Sequence, residues 1–417
     1  MRVAVIGAGI VGVTSAYELA SDGHEVEVFE AGSAVAGGAS FANAGVLAPG
    51  YVAPWAAPGM PGKLLRSLLS RHAPMRLRGL AALGMMPWLW RWWRACHADA
   101  HRGNRERMFR LACYSRERLE GLTQGLRLEY ERGHGFLVLL RSDGDLRQAR
   151  AGIKLLSELG VAFELLDATR SHAVEPGLNT DMPLRAAIHL PRDGVGNCRQ
   201  FAHLLKAEAQ QRGARFHFGR PVTGLRPGAP ATLRLPAGDQ AFDAVVVCAG
   251  VASAGLLAPL GLKLPLAPVW GHSLTVPLRH VDGLGQLGPR GALMDERYKV
   301  ALSRLGRRVR VSGGGELGGR AGTPAPAALA TLYKVLHDWF PGSTHLAQAQ
   351  PWKGARPMLP DGPPLLGASG MEGVWLNLGH GASGWALAAG SARVLADQMA
   401  GRSPAIDVTG LGIERLT

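Results

Sequence analysis

The feature that most constrains the fold of this chain is a glycine pattern near its N-terminus. Gly7, Gly9 and Gly12 follow the apolar segment Arg2–Ile6 with the spacing G-x-G-x-x-G. In a dinucleotide-binding unit, the first glycine allows a tight turn, the second lets a pyrophosphate approach the backbone, and the third lets helix and strand pack closely. The helix that follows would present free N–H groups and a partial positive charge to the phosphates. The pattern therefore predicts a strand, a phosphate-binding turn and a helix.

An acidic residue further along supports this prediction. The segment Glu25–Glu30 alternates as a strand would, and Glu30 stands 18 residues after Gly12. A carboxylate at the end of a second strand can accept hydrogen bonds from a ribose hydroxyl and would repel the extra phosphate of NADP. The alternative is a glycine-rich turn without a ligand, but the order of strand, glycines, helix, strand and acid favours a dinucleotide. This order alone does not distinguish FAD from NAD.

Three further segments favour FAD. Small residues at 40–45 would let the backbone pass close to a flat ring, although an ordinary loop can share this composition. Residues 243–250 predict a buried strand that ends in a glycine turn, where FAD-binding proteins of this type return to the cofactor. Residues 377–384 predict a helix N-terminus at the pyrimidine edge of a flavin, where it would stabilise the negative charge of the reduced ring. His380 in this segment is either part of that site or a packing residue.

These segments define the cofactor-binding residues that we predict from the sequence. They are Gly7, Gly9, Ile10, Val11, Gly12, Glu30, Ala31, Ser40, Asn43, Ala44, Gly45, Val46, Leu47, Val222, Ala249, Gly250, Gly379, His380, Gly381, Ala382, Ser383 and Gly384.

The pattern of elements along the chain predicts an α/β cofactor domain made from separate segments, with a second domain inserted. Residues 31–62 predict a long loop, residues 63–125 are mostly helical, and residues 129–141 predict strand–turn–strand. Antiparallel strands are expected over residues 265–316. Further helices are expected at 145–159, 199–212, 325–338 and 383–399. We predict a discontinuous FAD-binding domain at residues 1–62, 195–264 and 345–417, and a substrate-binding domain at residues 63–194 and 265–344.

Charge and cysteine content narrow the class of protein. The net charge of +14 attracts anions, but the arginines are scattered and no basic run is interleaved with aromatic residues, so we expect no nucleic-acid partner. The spacing of the four cysteines fits neither a metal site nor a disulfide framework, which predicts reduced thiols in a cytoplasmic protein. No apolar run reaches the roughly 18 residues that a membrane-spanning helix needs.

A group of tryptophans and arginines admits two interpretations. Aromatic side chains beside cations suit a membrane interface, which would place the protein at the inner face of the cell membrane. The other interpretation is a buried helix. The residues concerned are Trp88, Trp90, Arg91, Trp92, Trp93 and Arg94.

Four segments, at residues 37–45, 49–59, 352–367 and 377–385, carry a resemblance to a known family. Together they resemble the D-amino-acid dehydrogenase small subunits, which belong to the D-amino-acid oxidase-like superfamily of FAD-dependent amine oxidoreductases. The likeness runs nearly end to end, and residues 49–59 (PGYVAPWAAPG) are its most specific part.

The resemblance implies a fold and a reaction. It implies a Rossmann-type FAD-binding domain and an α+β substrate domain with a mostly antiparallel sheet. It implies oxidative deamination of an amino acid, with D-amino acids as the expected class, to an imino acid that water hydrolyses to a 2-oxo acid and ammonia. Electrons would pass from the flavin to a respiratory-chain acceptor. Relatives with a covalent flavin use a cysteine in the C-terminal third, whereas the last cysteine here is Cys248, so we expect non-covalent FAD.

The resemblance also assigns roles to residues of the substrate site. Arg356 matches the family's carboxylate-binding arginine, and a guanidinium can hold both oxygens of a carboxylate; from the residues alone, it is one of many arginines. Tyr298 matches a family tyrosine that would close over the carboxylate or amine, or else it is an ordinary strand tyrosine. The family more often has Tyr at the position of His272, and the run 313–315 is unusually rich in glycine, which together predict altered side-chain specificity. Burial can favour a neutral amine without a dedicated base, and His272 is the candidate if a base exists.

Three alternatives remain open at this stage. One is an oxidase that passes electrons to oxygen, and another is a D-hydroxyproline dehydrogenase. The third is a non-catalytic flavoprotein subunit that only transfers electrons, against which a carboxylate-binding arginine would count.

Overall fold

The computed structural model describes residues 1–67, 70, 72–78, 84–282 and 285–416. Its helices are α1 (Ile10–Ser21), α2 (Met60–Ser67), α3 (Met86–Ala95), α4 (Ala98–Gly125), α5 (Asp143–Glu158), α6 (Ala168–Val174), α7 (Cys198–Gln211), α8 (Ser253–Leu257), α9 (Pro326–Trp339) and α10 (Gly384–Met399). Its strands are β1 (Arg2–Ile6), β2 (Glu25–Glu30), β3 (Val46–Leu47), β4 (Met75–Leu77), β5 (Arg132–Leu140), β6 (Glu164–Leu166), β7 (Ala186–Gly196), β8 (Arg215–Phe218), β9 (Gly224–Arg226), β10 (Ala231–Leu235), β11 (Gly238–Phe242), β12 (Ala244–Val247), β13 (Ala267–Pro277), β14 (His280–Val281), β15 (Gly285–Gln286), β16 (Ala292–Asp295), β17 (Val300–Leu305), β18 (Arg308–Leu317), β19 (Gln350–Met358), β20 (Leu365–Ala368) and β21 (Val374–Leu378).

The first sheet has the strand order β20–β21–β12–β1–β2–β8. Its pairs are parallel except for β20 with β21, and Ala4 of β1 lies opposite Val245 of β12. Its central strands are apolar because both faces are covered. Helices α1, α7 and α10 pack on one face, and β9–β11 pack on the other. This arrangement confirms the predicted Rossmann-type domain.

The second sheet has the order β19–β13–β18–β17–β16–β5–β7–β3, with β4 on β18 and β6 on β7. It is mostly antiparallel, as predicted; β16–β5 and β18–β4 are parallel pairs. One face packs on α9 through side chains such as Leu274, Val311 and Trp339. The opposite face of this sheet turns towards the first sheet and leaves room for a large cavity.

Sheet membership and helix packing differ from the predicted domain boundaries at three places. Strand β3 pairs with β7 in the second sheet, although the prediction put residues 1–62 in the FAD-binding domain. Strand β19 belongs to the second sheet because it pairs along its whole length with β13, although the prediction put residue 345 onwards in the FAD-binding domain. Helix α4 packs on α10 and α1 beside the first sheet, although the prediction put residues 63–194 in the substrate domain. The division into domains is otherwise still a prediction.

Several expected elements have other forms in the structure. Residues 129–141 form one strand, β5, and not two, because a register shift at Gly135 (φ +84°) lets the chain continue past the glycine. The loop predicted at 31–62 contains β3 and the start of α2. Helix α1 begins at Ile10, directly after Gly9 of the glycine pattern. Strand β7 was not predicted, because the polar residues at its centre interrupt the alternation of apolar and polar side chains.

Close contact between α1 and the turn before it sets the position of this helix. A Cβ atom on Gly12 would overlap the carbonyl oxygen of Gly7. Glu18, further along α1, is fully buried and accepts hydrogen bonds from Arg118 Nε (2.6 Å) and Arg393 Nη1 (2.8 Å). Because α4 carries Arg118 and α10 carries Arg393, one carboxylate joins three helices. A buried charge of this kind is tolerated only when it is fully paired.

The variant Gly12→Ala tests the close packing at the turn. The added methyl group must push α1 away from the Gly7 carbonyl, and overpacking of this kind costs about 1–3 kcal/mol. We expect a lower thermal unfolding midpoint and lower FAD content. The matched control is Gly121→Ala on α4, where an added Cβ meets open space and should stabilise the helix by about 0.5–1 kcal/mol. A Gly12→Ala protein as stable as wild type would contradict the packing argument.

Candidate active site

A cavity of about 1520 Å³ lies between the two sheets. Its wall includes Gly9 and Glu30 beside the first sheet, and Gly271 and Arg356 from the second. Pockets for single small molecules usually measure about 300–1000 Å³. The cavity is therefore large enough for a dinucleotide together with a small substrate.

The glycine turn and Glu30 form one hydrogen-bonded unit. Gly7 has a left-handed backbone (φ +102°), which favours glycine there. The Glu30 carboxylate accepts the N–H of Ala8 (2.7 Å) with one oxygen and the N–H of Gly32 (2.7 Å) with the other. Each oxygen keeps lone pairs for a ligand hydroxyl. The predicted ribose-binding acid is thus held at the cavity wall by the turn itself.

The N-terminus of α1 faces the same cavity. The first helical hydrogen bond runs from Val13 N–H to Gly9 O, so the N–H groups of the first turn have no acceptor within the helix. Ser40 Oγ accepts the Ile10 N–H (3.1 Å). The N–H of Val11 has no helical partner. This end of the helix fits a pyrophosphate.

Most of the predicted cofactor residues line the cavity, but three do not. Gly12 lies behind the turn against Gly7, and Gly45 (φ +74°) packs on Gly196. Leu47 points into the hydrophobic core beside α1 and α10. Their role is to shape the backbone, because the neighbouring residues contact the cavity.

The segment before α10 resolves the two interpretations of His380. Gly379 and Gly381 have left-handed backbones, and α10 begins at Gly384. The His380 backbone borders the cavity, whereas its buried ring hydrogen-bonds Ser391 (Nε2 to Oγ, 3.0 Å). Burial lowers the pKa of His380 to about 3, so the ring is neutral. His380 is a packing residue that fixes the start of the helix.

Arg356 lies on β19 at the wall that the second sheet provides. Its Nη1 donates to the carbonyl oxygen of Gly314 (2.9 Å), and its guanidinium lies 5.7 Å from the centre of the Trp55 ring. A Cβ on Gly271 would come within 2.5 Å of Nη2, so a side chain at this position would displace the guanidinium. Burial lowers the pKa of Arg356 to about 10. Within the described ranges, Arg356 has no carboxylate partner, and it remains a cation at neutral pH.

His272 does not share the environment of Arg356. Since Gly271 faces the guanidinium and strand residues alternate, the ring of His272 turns to the other side of β13. There its Nε2 lies 3.4 Å from Glu316 Oε2, and Lys353 Nζ lies 3.5 Å from the same oxygen. Burial lowers the pKa of His272 to about 4. His272 is among the residues that line the cavity, but its ring is a weak base, so the structure does not support it as the catalytic base.

Tyr298 is not at the predicted position. Its ring packs against the guanidinium of Arg141 (5.1 Å) and the ammonium of Lys334 (5.6 Å), beside the core under α9. It does not line the large cavity and borders only a small void of about 20 Å³. The turn between β16 and β17 folds the ring back over this core, which removes it from Arg356.

Tyr51 and Arg105 are among the cavity residues that were not predicted from the sequence. Tyr51 lines the cavity, donates a hydrogen bond to Glu296 Oε2 (2.8 Å) and accepts one from Lys299 Nζ (3.3 Å). Arg105 of α4 also lines it and donates to the Gly50 carbonyl (3.0 Å). Tyr51 belongs to residues 49–59, the most specific segment of the resemblance, so this loop was a signal that pointed to the site. For Arg105, one arginine of a long helix, the sequence carried no signal.

The variant Glu30→Gln tests the nucleotide end of the cavity. An amide can accept only one of the two backbone N–H groups and turns its NH₂ towards the other. Loss of a hydrogen bond to a charged group costs about 1.5–3 kcal/mol, so FAD should bind at least about tenfold more weakly to the apoprotein. Flavin fluorescence titration measures this constant. Glu25→Gln at the exposed start of the same strand is the control, and equal FAD affinity in both variants would refute the assignment.

Comparison with known proteins agrees with this geometry. The chain matches the family DAO, described as FAD dependent oxidoreductase, over residues 2–398. It is 45% identical over 420 residues to a D-amino acid dehydrogenase of Cereibacter sphaeroides, covering 100% of this chain and 95% of that protein. It is 44% identical over 419 residues to a D-amino acid dehydrogenase of Rhizorhabdus wittichii, covering 100% of both.

The fold is also found among solved structures. The structure of glycine oxidase from Bacillus cereus superposes with a TM-score of 0.74 at 19% identity, covering 97% of this chain and 96% of that one. The site meets the requirements of FAD, because a helix N-terminus, a held carboxylate and a glycine cradle line one cavity. The chain belongs to the DAO family of FAD dependent oxidoreductases, and its cofactor is FAD.

Proposed function

We propose that this protein oxidises a D-amino acid to an imino acid, which water then hydrolyses to a 2-oxo acid and ammonia. The observation that carries the proposal is Arg356, a half-buried guanidinium without a carboxylate partner among the described residues, in the wall of the FAD cavity. A partly desolvated cation of this kind calls for an anionic ligand. The α-carboxylate of an amino acid supplies that charge, and relatives named D-amino acid dehydrogenase support the substrate class.

Arg356 is held in a position that can orient the substrate. The Gly314 carbonyl holds Nη1, and Trp55 lies against the guanidinium. The hydrogen bond to Gly314 is the one that the guanidinium makes among the described residues, so its remaining N–H groups can bind both oxygens of a carboxylate. A substrate fixed at this end has a defined direction for its Cα–H bond, which lowers the entropic part of the barrier.

The reaction requires a neutral amine before the Cα–H bond breaks. FAD, when bound, supplies the isoalloxazine that accepts the hydride. The protein's part is to disfavour the ammonium form, since burial in a largely apolar cavity and a nearby cation both oppose a second positive charge. His272, with its low pKa, is not needed for this step.

Arg356 variants test the proposal. In wild-type protein, D-amino acids added without oxygen should bleach the flavin absorbance, and L-amino acids and proline analogues complete the panel. Loss of a charged hydrogen bond costs about 1.5–3 kcal/mol. For Arg356→Gln, which loses two of them, we expect kcat/KM to fall by at least about a hundredfold. Arg356→Lys keeps the charge but not the paired geometry, and it should recover only part of the loss.

The control for this experiment is Arg308→Lys, at a partly exposed arginine of β18 in the same sheet that pairs with Glu131. It should retain wild-type kinetics and FAD content. Failure of every amino and imino acid to bleach the wild-type flavin would refute the proposal and favour an electron-transfer subunit. Bleaching by hydroxyproline epimers alone would favour the D-hydroxyproline dehydrogenase.

For the electron acceptor, we propose a respiratory-chain component rather than oxygen. The relatives at 44–45% identity are named dehydrogenases, which supports this assignment. An oxidase is the alternative, and the two differ in a single measurement: an oxidase releases hydrogen peroxide with each turnover, whereas a dehydrogenase reduces an artificial dye with little peroxide.

We further propose that α3 contacts the surface of a membrane. The structure divides the tryptophans of this helix between two environments: Trp88 and Trp92 are buried, while Trp90 and Trp93 are 59% and 44% exposed. The exposed rings stack at 5.0 Å beside the exposed Arg91. An apolar face next to arginines suits the interface of an anionic bilayer. Among the described helices, none is long and apolar enough to cross a membrane.

The double variant Trp90→Ser/Trp93→Ser tests this contact. The wild-type protein should sediment with vesicles that contain anionic phosphatidylglycerol, and the variant should lose most of this binding, because the interface loses its aromatic side chains. The control is Leu165→Ser/Leu346→Ser, which removes two exposed apolar side chains elsewhere. Equal sedimentation of both variants would contradict the proposal.

A further inference from the structure

A second half-buried arginine lines the cavity at a different place from Arg356. Arg105 lies on α4, one turn after His101, and both side chains border the cavity. Its Nη2 donates to the Gly50 carbonyl (3.0 Å), whereas its Nε is buried and has no hydrogen-bond partner among the described residues. No carboxylate of the described residues lies within salt-bridge distance of its guanidinium.

Two cations of the cavity wall between β16 and β17 have carboxylates of their own. Lys299 is paired with Glu296, and Arg297 with Asp145 (2.8 Å). The Tyr51 hydroxyl, between Glu296 and Lys299, is occupied by both. Arg105 therefore differs from these neighbours, because its charge is desolvated and left for a ligand. Burial also lowers the pKa of Arg105.

The position of Arg105 separates it from the cofactor's phosphates. The N-terminus of α1, which suits the pyrophosphate, lies at the first sheet, whereas Arg105 lies beside Gly50 and Tyr51. The Tyr51 ring packs on Phe136 of the second sheet. Arg105 thus lies beside the loop of residues 50–55 and not at the phosphate end of the cavity.

The loop between residues 50 and 55 connects the two arginines. Arg105 bonds its first residue, Gly50, and Arg356 lies against its last, Trp55. His101, one turn before Arg105, hydrogen-bonds the Ala56 carbonyl (2.7 Å), so α4 runs beside this loop from Gly50 to Ala56. A molecule bound by its α-carboxylate at Arg356 can therefore direct its side chain along this loop towards Arg105.

We propose that Arg105 is a second anion-binding position in the substrate cavity and that it selects amino acids whose side chain ends in a carboxylate. The inference rests on the proposed amino-acid oxidation and adds the class of side chain. A carboxylate there gives the guanidinium its missing partner, and a carboxamide offers only a neutral acceptor. A cationic side chain would be repelled by Arg105.

The test compares kcat/KM for D-glutamate, D-glutamine, D-alanine and D-lysine in wild-type and variant holoenzyme. In wild type, D-glutamate should exceed D-glutamine, and D-lysine should be the poorest substrate. A hydrogen bond to a charged group corresponds to a change of about tenfold to a hundredfold. Arg105→Gln should therefore lower the ratio of D-glutamate to D-alanine by about this factor, and Arg105→Lys should restore part of it.

The matched control is Arg102→Gln, which removes the same charge from an exposed position of the same helix, where Arg102 pairs with Glu158. It should leave the D-glutamate to D-alanine ratio unchanged. FAD content and the thermal unfolding midpoint report whether each variant is folded. If Arg105→Gln does not fold, the ratio of D-glutamate to D-alanine is measured on Arg105→Lys instead.

Two results would overturn the inference. One is a wild-type enzyme that oxidises D-alanine but does not prefer D-glutamate to D-glutamine. The other is an equal loss on D-glutamate and D-alanine in Arg105→Gln, which would mean that Arg105 only supports the loop at Gly50. Absence of flavin reduction by every amino acid would instead refute the proposed function itself, so the two failures are distinguishable.

Discussion

The contact of α1 with the Gly7 turn is the constraint on which the site depends. Because no side chain separates Gly12 from the Gly7 carbonyl, the helix begins directly at the carboxyl end of β1. Its free N–H groups then face the cavity, and the same turn supplies the N–H that holds Glu30. The buried Glu18 ties this helix to α4 and α10. Hence the phosphate site, the start of α10 and the helix that carries Arg105 are positioned by one packed unit.

The opposite wall of the cavity follows from a different constraint, the pairing of β13 with β19. Gly271 leaves the space in which Arg356 lies, and a side chain there would displace the guanidinium. The same pairing places His272 directly opposite Lys353, where both meet Glu316. One pair of strands thereby separates a face that presents an unpaired cation from a face whose charges are compensated. Arg356 and Lys353 are both cations, and they differ in charge pairing because they lie on opposite faces of this pair of strands.

Prediction from the sequence was correct for those elements whose structure is determined by a local pattern of residues. The N-terminal strand, turn and helix follow from glycine spacing, and the cradle before α10 follows from its glycines, because these positions need particular backbone conformations. It failed where packing between distant segments decides. Tyr298 and Lys299 are neighbours in the chain, yet only Lys299 lines the cavity, since the turn after β16 directs the tyrosine to the core under α9. Arg105 carries no local pattern at all, and only the packing of α4 beside residues 50–55 brings it to the site.

The two arginines also explain how a site without a suitable base can favour a neutral amine. Arg105 and Arg356 place two positive charges in the wall of one cavity, so the potential around a bound substrate is positive. An ammonium group is then opposed by desolvation and by repulsion, and both effects lower its pKa. The same potential stabilises the negative charge that reduction places on a flavin. A carboxylate near the amine would stabilise the ammonium form and destabilise the reduced flavin. This is a physical reason why neither arginine has a carboxylate partner within the described part of the chain.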